Sequence, residues 1–184
     1  VVEHNQYSTI DEVGEANGFY SRAYNAVFPY VNVCEPMWVL SGEEIYVDDV
    51  KKDSKTYEYY NAVIHRQGLG FCGFERIDEY DRHQRKSSHT YLPYQYGLPS
   101  KEETPFVTKS FEYNNIVPGD GSIRIRVSKA TEYDAARNMT KTTSYSYDDY
   151  DNPTLESVHF SDNIDIVKNK TYSNNDTISG YYLG

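Results

Sequence analysis

The stretch Ser122-Ile123-Arg124-Ile125-Arg126-Val127-Ser128 decides the fold class of this chain. Its apolar and charged side chains alternate strictly, which is the period-2 pattern of a half-solvated strand. The sequence Pro118-Gly119-Asp120-Gly121 comes just before it and is a strong turn signal, and the strand-like residues 106–113 come before that turn. Two strand-like stretches on either side of a turn predict an antiparallel β-hairpin.

Further short segments have strand composition and are separated by turn-forming residues. The strand candidates are residues 44–47, 56–60, 71–77, 89–92, 142–147, 154–160, 164–172 and 178–183, and the turn clusters between the later ones are residues 148–153, 161–163 and 173–176. We therefore predict an all-β chain of consecutive antiparallel hairpins that form a curved sheet strip, with less than about a tenth of its residues in helices.

The first part of the chain lacks this pattern. Residues 1–41 are predicted to be an irregular segment that packs on the hairpin domain of residues 42–184. Residues 18–32 have room for a short helical turn or two, because Pro29 and Pro36 limit anything longer. No charge block or Pro/Ser-rich linker divides residues 42–184.

The composition agrees with thin β layers. The 184 residues include 20 Tyr against 7 Phe, 1 Trp and 2 Met, and the mean hydropathy is -0.76. Tyrosine packs on a pleated, half-buried surface and keeps its hydroxyl at the wet edge, so this aromatic set favours strands.

Charge and hydropathy exclude two classes of partner. The net charge is -10 and no window is dense in Lys and Arg, which argues against nucleic acid and anionic membrane surfaces. No apolar run reaches the ~18 residues of a membrane span. The start Val1-Val2-Glu3-His4 is not a basic signal region, so we expect an excised segment whose export signal lies in a larger parent polypeptide.

A short repeat follows two of the predicted strands. Tyr133-Asp134 precedes Asn138 and Tyr147-Asp148 precedes Asn152, a Tyr-Asp-x-x-x-Asn pattern at a spacing of fourteen, and Tyr80-Asp81 and Tyr172-Ser173-Asn174 look like eroded relatives. In this interpretation Tyr ends a strand with its ring over the neighbouring one, and Asp caps the turn through backbone amides. Chance pairing in a chain rich in Tyr and Asp is the alternative.

Two longer stretches resemble a known family, the RHS/YD-repeat proteins. The first is similar to the signature of the toxin-complex B-component and SpvB-like branch, through Tyr57, Tyr59, His65, Gly68, Gly70, Phe71, Gly73 and Phe74. The second resembles the YD repeat itself, through Tyr145, Tyr147, Asp148 and Asn152. Leu69, Cys72 and Asp151 depart from the family pattern, and Asp151 stands where the repeat has Gly.

The resemblance covers about residues 45–184 and implies a function. Complete family members are bacterial, secreted or cell-surface proteins whose hairpin strip winds into a hollow shell around a toxic polypeptide, and carbohydrate binding has been proposed for some relatives. The partners implied are the rest of the parent chain and either an encapsulated toxin segment or a surface glycan. The sequence contains no toxin segment at its C-terminus and no self-cleavage motif.

No cofactor or metal is predicted. Gly68, Gly70 and Gly73 match Gly-x-Gly-x-x-Gly but lack the acidic residue about 20 positions on, so we interpret them as sites of a bulge or bend. The spacing of the candidate zinc ligands matches no common site, so we interpret them as surface residues near turns: His65, His83, His89, Asp78 and Asp81. The candidate calcium ligands are interpreted as turn caps for the same reason: Asp148, Asp149 and Asp151. Cys34 and Cys72 are either two buried free thiols or one disulfide.

The sequence contains no recognisable catalytic motif, so no catalytic residue is predicted and the chain is not expected to be an enzyme. The leading hypothesis is a structural β-shell or surface segment. The alternative is a carbohydrate-binding or adhesion module whose exposed rings stack on sugars, with Tyr91, Tyr94, Tyr96, Tyr181 and Tyr182 as candidates. A hydrolase is the third possibility and has no specific support.

Overall fold

The fold is all-β, as the sequence predicts. The computed structural model describes residues 1–116 and 124–172. Strands in antiparallel hairpins make up most of it and 5% of the residues are helical, so the expected limit of about a tenth is confirmed. The chain divides into two compact units, residues 1–110 with 134–136 and residues 111–133 with the chain from 137 onward.

The first unit is built around one long strand, β5. Its elements are β1 (Val2–Thr9), α1 (Glu12–Ala16), β2 (Tyr20–Ser21), β3 (Tyr30–Asn32), β4 (Trp38–Val47), β5 (Val50–His65), β6 (Gly70–Asp81), β7 (Lys86–Leu92), a 3₁₀ turn (Pro93–Gln95), β8 (Leu98–Glu103) and the first part of β9 (Val107–Ile116). The strand order is β1-β4-β5-β6-β7-β8-β9. Residues 50–56 of β5 pair with β4, while residues 59–60 and 63–65 pair with β2 and β3.

The N-terminal segment was predicted to be irregular, and this prediction is wrong. β1 pairs with β4 from Val2↔Tyr46 to Thr9↔Trp38, and α1 lies at residues 12–16 rather than between residues 18 and 32. Strand β1 could not be predicted from the sequence, because its residues 2–7 are all exposed and show no alternation of apolar and polar side chains. Asp11 caps α1, because its Oδ1 accepts hydrogen bonds from the amides of Val13 and Gly14.

The same segment supplies much of the buried core. Ile10, Tyr20 and Val33 pack with Tyr59 and Ala62 of β5, and all five are at most 7% exposed. The Tyr20 hydroxyl donates to the carbonyl of Val33 and accepts from the amide of Ala62, so the core contains a satisfied polar group.

The second unit consists of hairpins. It holds the end of β9, β10 (Arg124–Asp134) apart from its last residue, β11 (Met139–Tyr147), β12 (Pro153–Phe160) and β13 (Asp165–Asn169), in the order β9-β10-β11-β12-β13. Among its described residues, Thr143 and Val158 are buried, and they face each other across the β11–β12 pair.

Most of the predicted hairpins are present. Strands β9 and β10 flank the predicted turn, while Pro118, Gly119, Asp120, Gly121, Ser122 and Ile123 lie outside the described residues, as do the turn at 173–176 and the strand at 178–183. β8 was missed, because Pro99 and the charged Lys101, Glu102 and Glu103 hide its strand character.

Candidate functional site

The predicted cap at Asp148 is confirmed. Its Oδ1 accepts hydrogen bonds from the amides of Tyr150 and Asn152 at 2.9 Å each, and its Oδ2 accepts from the side-chain amide of Asn152 at 3.0 Å. The hydrogen bond from the Asn152 side chain lowers the pKa of Asp148. Asp151 adopts a left-handed conformation with φ of 70°, the conformation that the missing glycine would have supplied at no steric cost.

The turn at Asp81 has the same construction. Asp81 Oδ1 accepts from the amides of His83 and Arg85, and Gln84 takes the left-handed position with φ of 60°. The backbone closes alike in both turns, through Asp81 N to Arg85 O and Asp148 N to Asn152 O. The pKa of Asp81 is lowered to about 2, and the hydrogen bond from the Arg85 amide is the largest cause.

A third turn shares this backbone without the aspartate. Phe160 N donates to Ile164 O at 2.9 Å, and Asn163 is left-handed with φ of 66°. One five-residue turn therefore joins β6 to β7, β11 to β12 and β12 to β13.

The two Tyr-Asp pairs at 133 and 147 differ. The left-handed residue is Asn138, four positions after Asp134, but Asp151, three positions after Asp148. Tyr133 is 39% exposed and its hydroxyl donates to Asn138 Oδ1. The two copies of the Tyr-Asp-x-x-x-Asn pattern, which lie fourteen residues apart, therefore form two different turns.

Tyr147 ends β11 and is half-buried. Its hydroxyl donates to the carbonyl of Val127 at 2.8 Å, and the Arg126 guanidinium lies over its ring. The Tyr145 ring lies 6.5 Å away on the same face.

The first motif forms packing contacts. The Tyr57 hydroxyl donates to Glu43, and the hydroxyl of the buried Tyr59 donates to the Leu40 carbonyl. Phe74 packs against Tyr59 at 4.7 Å and against Phe71 at 5.5 Å between ring centroids. Gly68, Gly70 and Gly73 all have φ between 71° and 111°, which agrees with the predicted bend and bulge.

The candidate sugar-stacking rings differ in exposure. Tyr91 is half-buried in β7, whereas Tyr94 and Tyr96 are 37% and 47% exposed around the 3₁₀ turn. Tyr181 and Tyr182 lie outside the described residues.

Tyr94 belongs to a polar network that we call the tyrosine–asparagine cluster: Tyr30, Asn32, Asn61, Glu75 and Tyr94. The Tyr30 hydroxyl donates to the Tyr94 carbonyl, and the two rings meet edge to face at 5.1 Å. Asn32 Nδ2 donates to Asn61 Oδ1 at 2.6 Å, and Asn61 Nδ2 donates to Glu75 Oε2 at 2.9 Å.

Neighbouring residues extend this cluster at both ends. Tyr94 Oη lies 3.5 Å from Asn25 Oδ1, and the His65 ring contacts the Tyr30 ring at 4.8 Å. The cluster thus ties β3, β5, β6 and the 3₁₀ turn together and brings the exposed ring of Tyr94 beside amide and carboxylate groups.

Sequence reasoning missed Asn32, Asn61 and Glu75. One signal was present, because Asn61 interrupts the strand-forming run Tyr59-Tyr60-Asn61-Ala62-Val63. It is 3% exposed and left-handed with φ of 49° inside β5, a conformation that asparagine tolerates better than most residues.

Asp78, which was considered for zinc, has other partners, and the two cysteines are not bonded to each other. Asp78 is fully buried, accepts from Ser88 and pairs with Arg76 and Lys86. Cys34 and Cys72 are free thiols. Over residues 1–116 and 124–172, no three side chains of His, Cys, Asp or Glu are grouped as a metal site would require.

Comparison of the chain with protein-family models, with curated proteins and with solved structures finds no match. Within the described part of the chain, no helix has the length and apolarity to cross a membrane.

Proposed function

We propose that this chain is a non-enzymatic structural segment of a larger, secreted or cell-surface YD-repeat protein, in which consecutive hairpins build a β-shell. Its partner is then the remainder of the parent polypeptide, and a toxin segment enclosed by the completed shell is a second partner. The observation that carries the proposal is the five-residue turn that recurs after β6, β11 and β12. A repeated connection of this kind suits a strip that grows by adding hairpins.

The exposure of β13 supports the same proposal. All five of its residues are exposed, with Ile166 at 45% and Val167 at 57%. It is the last strand in the order of the second unit, so one of its edges has no partner among the described strands. An unpaired edge with apolar side chains favours pairing with a further strand.

Amide hydrogen exchange tests the structural role. The amides of β13 that point away from β12 are expected to exchange rapidly in the isolated chain and to be protected in the intact parent polypeptide, where a further hairpin pairs with them. The amides of β11, which lies between two strands, serve as the internal control and should be protected in both samples. Rapid exchange of β13 in the parent as well would contradict the proposal.

A carbohydrate-binding or adhesion module, with a surface glycan as its partner, is the second candidate. Tyr94 exposes its ring beside the amides of Asn25 and Asn32, Tyr96 exposes a second ring two residues on, and stacking of an aromatic ring combined with amide hydrogen bonds suits a sugar ring. Binding to a glycan array should be lost in Tyr94→Ala and kept in Tyr150→Ala, which removes a 65% exposed ring from the second unit. An array without signal for the unmodified chain would exclude this candidate.

A further inference from the structure

A small cleft lies beside the tyrosine–asparagine cluster in the first unit. It is lined by Glu75, Tyr91, Leu92, Pro93, Tyr94 and Gln95. Two aromatic rings and two apolar side chains therefore surround one carboxylate, which is the composition of many small-ligand sites: mostly apolar walls with a few polar groups that set orientation.

The carboxylate in this cleft is held in place. An exposed glutamate ordinarily samples many rotamers, and fixing it costs conformational entropy when a ligand binds. Here Glu75 Oε2 accepts a hydrogen bond from Asn61, which is itself buried and held by Asn32. Support of this kind from buried neighbours orients a binding group before the ligand arrives.

The charge on Glu75 is not balanced by a neighbour. Two other glutamates of the first unit have a lysine partner, Glu44 with Lys51 at 2.6 Å and Glu79 with Lys55 at 3.0 Å. Over residues 1–116 and 124–172, no Lys, Arg or His nitrogen lies within ion-pair distance of Glu75. With a net charge of -10 on the chain, this cleft attracts a cation.

The walls select the kind of cation. Tyrosine faces attract an ammonium group within about 6 Å of the ring centroid, and Leu92 and Pro93 offer apolar surface to a carbon skeleton. We propose that Glu75, Tyr91 and Tyr94 form a binding site for the protonated primary amine of an organic ligand. Two kinds of ligand carry a protonated primary amine on a carbon skeleton of this size: an amino sugar and a lysine side chain. The site depends neither on the structural role nor on neutral-sugar binding.

Titration followed by NMR chemical shifts tests the site with defined probes. The probes are n-butylammonium, glucosamine, N-acetylglucosamine, glucose and a capped lysine. Amine-bearing probes should bind with a Kd of about millimolar order, as expected for ligands of this size, while glucose and N-acetylglucosamine should shift no resonance of the cleft.

Variants locate the binding and control for folding. Glu75→Gln keeps an acceptor for Asn61 but removes the charge, and it should weaken glucosamine and n-butylammonium binding by about tenfold or more. Glu3→Gln removes an exposed charge from β1 and should leave binding unchanged. Amide spectra of both variants should match that of the unmodified chain.

The relative affinities of the probes distinguish the two kinds of ligand and test the site itself. Tighter binding of glucosamine than of capped lysine identifies the amino sugar as the source, and the reverse order identifies the lysine side chain. Equal binding of glucose and glucosamine that survives Glu75→Gln would overturn the proposal in favour of a neutral sugar. Absence of binding by every amine at tens of millimolar would overturn it outright, while leaving the structural role intact.

Discussion

The two units of this chain are built from the same kind of hairpin but differ in what covers the sheet. In the first unit, Ile10, Tyr20 and Val33 from the N-terminal segment pack on β5, and Ala62 and Val63 are fully buried. In the second unit, Thr143 and Val158 are the buried residues among those described, and most other side chains are half-buried or exposed.

The difference shows that hairpins alone bury few apolar side chains. A single sheet layer removes little area from water, and the buried apolar core of the first unit depends on a segment that packs on β5. We therefore expect single substitutions to lower the free energy of unfolding more in the first unit than in the second.

Truncation of the buried Tyr20 side chain, which lies in the N-terminal segment that packs on β5, should have the largest effect. Tyr20→Ala removes a fully buried ring and leaves the Val33 carbonyl without its donor, so it should lower the free energy of unfolding of the first unit by about 4 kcal/mol. Hydrogen exchange measured on peptides of β5 would report the loss. The control Tyr20→Phe should cost about 1 kcal/mol, and equal effects of the two variants would show that packing of the ring is unimportant.

Loss of the buried carboxylate on β6 should come next. Asp78→Ala leaves Arg76 and Lys86 without their common partner and should destabilise the first unit by about 3 kcal/mol. Chemical denaturation checks this expectation. Glu103→Ala, which breaks the exposed pair with Lys101, is the matched control and should change little. A larger effect of Glu103→Ala than of Asp78→Ala would refute the argument.

The same carboxylate predicts how stability depends on pH. Burial alone would raise the pKa of Asp78, but the hydrogen bonds from Lys86 and Ser88 and the charge of Arg76 outweigh it, so the pKa is lowered. A lowered pKa in the folded state means that the contribution is complete above the ordinary value of about 4 and is lost as the pH falls below it. Denaturation midpoints between pH 7 and pH 2 should therefore fall less steeply for Asp78→Ala than for the unmodified chain.

In the second unit the corresponding aromatic truncation should cost less. Tyr147→Ala removes a half-buried ring and its hydrogen bond to the Val127 carbonyl, so we expect about 2 kcal/mol. Hydrogen exchange on peptides of β11 and β12 measures it. An effect as large as that of Tyr20→Ala would mean that the second unit has as firm a core as the first.

The smallest effect is expected at the capped turns. Asp148→Ala and Asp81→Ala each remove an acceptor of two backbone amides, and both should lower the unfolding midpoint by less than Tyr147→Ala. Asn at either position keeps an oxygen acceptor and should restore most of the loss. Unequal effects at Asp81 and Asp148 would argue against one shared turn.

Local patterns explain which parts of the fold could be predicted. The alternation in residues 124–128 and the clusters at 148–153 and 161–163 concern neighbours in sequence, and strand β10 and two turns are found where they indicate them. β1 was missed because its residues 2–7 face solvent, so its pairing with β4 leaves no periodic signal.

The candidate site was harder to predict for a different reason. Asn32 and Tyr94 are 62 residues apart in sequence, and their contact depends on the register of three strands. The exposed rings of Tyr94 and Tyr96 were anticipated, but the asparagines that contact Tyr94 were not, because an isolated asparagine looks the same in a loop and within a strand.

The long strand β5 also sets an order of events during synthesis. β4 and β5 are joined through a turn at Asp48 and Asp49, so this hairpin closes over a short distance within microseconds. β2 and β3 need residues 59–65 of β5 as their partners. At about 5–20 residues per second, a ribosome takes roughly 2 to 6 s to go from residue 33 to residue 65. For those seconds Ile10, Tyr20 and Val33 lack their partners on β5, so the buried core of the first unit forms only after the whole of this strand has been made.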